Sequence, residues 1–89
     1  MASGSGAVST AVQITVRYWA SARAAAGCES ESFTGHHVGE VLEAAAAAHT
    51  GLGKVLAVST ILMDGRPVAA SLPLSEGATI EVLPPFAGG

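Results

Sequence analysis

Several things are scarce in this chain, and each scarcity excludes something. There is one cysteine, Cys28, so no internal disulfide can form. Lys and Arg total four against seven Asp and Glu, for a net charge of −3. That balance argues against an electrostatic footprint for nucleic acid and against a polybasic membrane patch. No apolar run reaches membrane length and no signal-peptide architecture is visible, so a cytoplasmic location is expected. No nucleophile–base motif and no glycine-rich phosphate loop occurs. His36 and His37 are adjacent, and His49 lies about three helical turns further on. Neither spacing is that of a ligand pair on one helix, so no metal site and no bound cofactor are expected. Eighty-nine residues without an internal repeat make one small domain. These absences describe a carried substrate or a subunit, not an enzyme acting on its own.

What is present is apolar material, 49% of residues and much of it alanine. Residues 1–11, MASGSGAVSTA, lack periodicity and read as a disordered leader. From Val12 the chain alternates. Val12, Ile14, Val16 and Tyr18 share one face of a strand and Trp19 falls on the other. A lone Trp there either covers a second small cluster or is an interaction anchor. Ser21 is placed to cap a short helix through Ala26, closed by Gly27 as a left-handed cap. Arg23 in that helix is either a solvated charge or a partner contact. Residues 28–33 read as a second strand that returns on the first. Cys28 lacks an adjacent Lys, Arg or Cys to lower its pKa, so it reads as a small hydrophobe.

Residues 34–37 read as a turn into the main helix, Val38 to about His49, with Val38, Val41, Leu42, Ala45 and Ala48 on one face. Gly51 and Gly53 break that helix, and residues 52–56 read as a short turn that plugs the sheet's end. Asp64-Gly65 between two apolar runs signals a hairpin. Pro67 makes the returning strand either short or an edge strand. A last strand, 78–83, turns Ile80 and Val82 inward, and Leu83 outward with Trp19. One long helix against mixed strands is an α+β pattern.

The end of the chain is Leu83-Pro84-Pro85-Phe86-Ala87-Gly88-Gly89. Proline has no N–H for a ladder, so the strand stops there, and Pro-Pro projects the chain outward. The four residues after Pro85 span at most roughly 13–14 Å. Without Cβ atoms, Gly88 and Gly89 thread where side chains would clash. A glycine carboxylate is a poor acyl electrophile until adenylation makes it a mixed anhydride that sulfur can attack. The domain is therefore placed at 12–85 and a flexible functional tail at 86–89.

That ending, together with Val16-Arg17-Tyr18-Trp19-Ala20-Ser21-Ala22-Arg23-Ala24-Ala25-Ala26-Gly27, resembles the MoaD/ThiS family of ubiquitin-like sulfur carriers, most of all its molybdopterin synthase small subunits. The family often shows an aromatic pair, Ala, two variable residues, Arg-Glu and a nearby Gly; here Ala24 stands where Glu is usual. The resemblance covers about residues 12–89. It implies a β-grasp fold, about five mixed strands on one main helix, with first and last strands parallel at the centre. It implies that an activating enzyme adenylates Gly89 with ATP and that a sulfurtransferase converts it to a thiocarboxylate. The tail, with Phe86, Ala87 and Gly88, would then enter a large synthase subunit. It implies that the aromatic Trp19 contacts that subunit; Leu83, by its outward alternation, Arg23 and Pro67 are the further partner contacts expected. Carriers for thiamine or cysteine synthesis, and protein modifiers joined to lysine, share the chemistry and stay open as alternatives.

Overall fold

A computed structural model describes residues 11–85. The leader reading for residues 1–10, and the tail reading for Phe86, Ala87, Gly88 and Gly89, lie outside the described residues. The element order is β1 (Val12–Tyr18), α1 (Ala20–Ala26), β2 (Ser30–Gly35), α2 (Val38–Ala48), α3 (Leu52–Val58), β3 (Thr60–Met63), β4 (Arg66–Pro67) and β5 (Thr79–Leu83). The five strands form one mixed sheet in the order β2-β1-β5-β3-β4. β1 and β5 run parallel at its centre, with Val16 opposite Ile80 and Tyr18 opposite Val82. All other pairings are antiparallel.

The period-two alternation decides which face is buried. Ile14, Val16 and Tyr18 of β1 and Ile80 and Val82 of β5 are buried in one core. All three helices add to that same core, through Ala22 and Ala26, through Val38, Val41 and Ala45, and through Leu52. The helices therefore lie on one side of the sheet.

The start of α2 is tied down by the loop before β5. The Val38 and Gly39 amides donate to Leu72 and Ala70 carbonyls at 3.0 and 2.8 Å. The next amide, of Glu40, donates to His37 Nδ1 at 3.3 Å, so three N–H groups that a helix start leaves unpaired are satisfied. A Cβ on Gly39 would meet Ala70 Cβ at 3.1 Å and its carbonyl oxygen at 3.2 Å, which is why glycine allows this approach. The β3–β4 hairpin closes on Asp64 and Gly65 with φ of 51° and 87°. Two positive φ values are the type I′ geometry that Asp-Gly favours.

Several elements differ in detail from the sequence reading. Ser21 does not cap α1. The chain leaves β1 through Ala20 at φ 48°, so Trp19 takes the cap position without a side-chain bond and Ser21 falls inside the helix. β2 begins at Ser30, not Cys28, because Gly27, at φ 76°, and the next two residues make the turn; Thr34 and Gly35 consequently belong to the strand. Ala48 is exposed, since an all-alanine run carries no size contrast to mark its buried face. Residues 52–58 form a helix, not a short turn. Gly51 at φ 90° precedes it, and the Ser59 hydroxyl donates to the Val55 carbonyl at 2.6 Å near its end. Ala78 precedes β5, its amide held in a turn by the Ser75 carbonyl.

Tyr18 yields a test of this packing. It is 2% exposed and its hydroxyl donates to Glu31 Oε1 at 2.8 Å. Burial first, and then the Glu31 carboxylate, push its phenol well above the ordinary value of 10.0. Below about pH 10 the phenol is neutral in both folded and unfolded chains. Above it, the unfolded chain loses the proton first, so stability falls as pH rises. Tyr18→Phe should flatten that alkaline decline in a melting series from about pH 8 to pH 11. An unchanged slope would place the cause elsewhere.

Candidate functional site

The other face of the sheet carries no helix. On β5, Thr79, Glu81 and Leu83 alternate with the buried Ile80 and Val82. Leu62 stands opposite Glu81 on one side and Pro67 on the other. Residues directly opposite in antiparallel strands share a face, so Leu62, Pro67, Glu81 and Leu83 lie together on the open side. Arg17 joins them in the parallel register with Glu81.

Trp19 sits where this face meets the end of β5. Its amide donates to the Val82 carbonyl at 3.2 Å, one residue before Leu83. Arg17 places its guanidinium carbon 5.0 Å from the centre of the Trp19 ring, a cation–π contact on the open side. Trp19 is half-buried. Its Nε1 is enclosed and has no acceptor among the described residues. Pro84 is buried and Pro85 exposed, so the chain departs from the sheet beside Trp19.

Three of the four expected partner contacts are thus brought onto one surface: Trp19, Leu83 and Pro67. Arg23 is not. It lies on α1, exposed, and pairs with the exposed Glu29 at 3.9 Å, a pairing worth little in water. With Ala20, Ala24, Gly27, Cys28 and Glu29 it lines a separate open groove of about 560 Å³. The sequence reading missed Leu62 and Arg17. The β3 alternation around Ile61 and Met63 was the available signal for Leu62. Gly89, Gly88, Ala87 and Phe86 lie outside the described residues.

Leu62, Leu83, Pro67 and Trp19 offer apolar area, and Arg17 and Glu81 offer charge. Among the described residues the open face has no His or Cys to act as base or nucleophile. The arrangement suits recognition. Elsewhere, burial and then the Glu31 charge raise the Cys28 thiol above its ordinary value, the wrong direction for a nucleophile. The amide and ring of His36 hold the Glu40 carboxyl below its usual value, consistent with its place beside the helix start. No helix among the described residues is long and apolar enough to cross a membrane.

Comparison with known proteins adds to this geometry. The ThiS family model matches residues 16–89. No curated protein matches the sequence. Small archaeal modifier protein 1 from Methanosarcina acetivorans superposes with a TM-score of 0.81 at 22% identity, over 90% of this chain and 99% of that one. A candidate subunit 1 of molybdopterin converting factor from Pyrococcus furiosus gives 0.76 at 26% identity, over 84% and 99%. A complex of subunits 1 and 2 of molybdopterin-converting factor from Helicobacter pylori gives 0.68 at 24% identity, over 88% of this chain and 100% of the matched one.

Proposed function

The chain belongs to the ThiS family, and from that premise we propose that it is the sulfur-carrying small subunit of molybdopterin synthase. The Gly89 carboxylate attacks the α-phosphorus of ATP on an activating enzyme, and pyrophosphate leaves. A persulfide on a sulfurtransferase then attacks the acyl carbon and displaces AMP to give an acyl disulfide, and a second thiol takes the sulfurtransferase sulfur as a disulfide and releases the thiocarboxylate. The tail delivers that sulfur to a pterin precursor held by the large subunit. Two charged carriers in turn build the dithiolene. The chain itself supplies the acyl group and a docking face; its partners supply ATP and the catalytic groups.

The observation that supports this reading is the position of the open apolar face. It adjoins the point where the chain leaves β5 toward Gly88-Gly89. A partner seated on Leu62, Leu83 and Trp19 would have the tail beginning at its edge. The Helicobacter neighbour is a complex of subunits 1 and 2, and the same pairing is part of the proposal here. Within the pathway choice, Pro84-Pro85 and the Tyr18-Trp19 pair favour molybdopterin over thiamine or cysteine synthesis.

The test is binding to a molybdopterin synthase large subunit. Trp19→Ala or Leu83→Ala should each weaken the complex by roughly 1–4 kcal/mol, as truncation of an interface hot spot does, while the melting temperature of the free chain moves much less. Global unfolding of Trp19→Ala would instead assign the indole to the fold. Lysine-linked conjugates in place of pterin product would assign the chain to the protein modifiers.

A further inference from the structure

On the helix side of the sheet, three side chains distant in sequence converge. Cys28 comes from the turn after α1, Glu31 from β2 and His49 from the C-terminal cap of α2. One ligand atom of each lies within 4.8 Å of the others, and all three residues are half-buried. His49 Nε2 is 2.6 Å from Glu31 Oε1. The same oxygen accepts the Tyr18 hydroxyl at 2.8 Å, and the Tyr18 and His49 rings meet edge to face at 6.2 Å. Glu31 stands opposite the buried Val16, so its carboxylate turns toward the helices. Among the described residues, no Lys or Arg pairs with it.

We propose that Cys28, Glu31 and His49 form a binding site for a thiophilic divalent cation, zinc. A thiolate, an imidazole nitrogen and a carboxylate oxygen are the donor types zinc takes, and three protein ligands leave a fourth tetrahedral position for water or a partner group. Zinc bond lengths of about 2.0–2.3 Å put neighbouring tetrahedral ligands about 3.4–3.6 Å apart. The present spread, from 2.6 Å to at most 4.8 Å, brackets that separation, so side-chain rotation without backbone movement assembles the site. Zinc displaces the thiol proton, and Nε2 of His49 turns its lone pair to the ion, with the ring proton on Nδ1, in place of its contact with Glu31. Tyr18 acts as a positioning residue: its hydroxyl fixes the rotation of the Glu31 carboxylate, as outer-shell donors do at metal sites.

This site is on the opposite side of the sheet from the docking face, and it does not depend on the carrier reading. The experiment titrates zinc into the full chain against a chromophoric chelator and repeats the titration with cobalt. Expected are one ion per chain, a sulfur-to-cobalt charge-transfer band and a higher melting temperature with zinc, because the folded chain alone presents the three ligands. Cys28→Ser should lose the band and most of the affinity, and His49→Gln most of the affinity, with folding of both checked by circular dichroism. Tyr18→Phe should bind roughly 10–100-fold more weakly while keeping the cobalt band. A His36→Gln, His37→Gln double variant should bind like the parent. Equal zinc affinity in the parent and Cys28→Ser would overturn the proposal. So would loss of binding only in the double variant, or one ion shared by two chains.

Discussion

Deletion of Gly89 is expected to abolish adenylation and sulfur transfer while leaving the unfolding curve of the protein unchanged. Removing one extended residue draws the carboxyl back by roughly 3.3–3.6 Å. Reacting atoms must approach to about 3–3.5 Å, and a misplacement of about 1 Å already costs on the order of a hundredfold. One added residue after Gly89 should fail for the same reason, by carrying the reacting carbon too far. Gly88→Val should also fail, because a β-branched side chain blocks a narrow channel even though the carboxyl is intact. Val82 is the last member of the hydrophobic core among the described residues, and these changes lie beyond it, so melting should overlay the parent's. Full pterin synthesis by the Gly89-deleted chain would remove the tail from the chemistry.

The second large effect falls on the fold. Ile80 is fully buried on the central strand, opposite Val16 in parallel β1 and Met63 in antiparallel β3. Ile80→Ala should destabilise by about 2–5 kcal/mol through lost burial and an unfilled cavity. Against a total stability of about 5–15 kcal/mol for a domain, and about 4–8 °C per kcal/mol at this size, the melting temperature should fall by at least about 8 °C. Val58, 64% exposed, is the control: Val58→Ala should change stability by no more than about 0.5 kcal/mol. Comparable losses at the two positions would mean that the sheet–helix interface is not the core.

Which features could be read from the sequence follows from the range of the forces involved. The alternations of 12–18 and 79–83 are local and strongly patterned, so the core faces of β1 and β5 were legible. So was the placement of Leu83 with Trp19 on the other side. Asp64-Gly65 fixed its turn by backbone chemistry alone, and Pro67 marked the edge strand. The alanines after Glu43 were not legible, because identical small side chains do not distinguish buried from exposed faces. The helix after Gly51 was hidden by two glycines, and Leu52 anchors it through tertiary burial that no propensity records. The convergence of Cys28, Glu31 and His49 depends on the register of β2 on β1 and on the length of α2. No local spacing encodes that, and a search for ligand pairs on one helix passes over it. The sulfur chemistry came from a resemblance in the last residues, whereas the structure supplied an open apolar face beside the end of β5.

The central claim is that the last carboxyl group of this chain carries sulfur. Its most direct test is the intact mass of the full chain after incubation with the activating enzyme, ATP and a sulfur donor. The account predicts a single product in which one oxygen of the Gly89 carboxylate has been replaced by sulfur, formed only when ATP is present and absent from the Gly89-deleted chain. An unchanged mass under conditions that charge a known carrier, or a sulfur gained at Cys28 in place of Gly89, would contradict it.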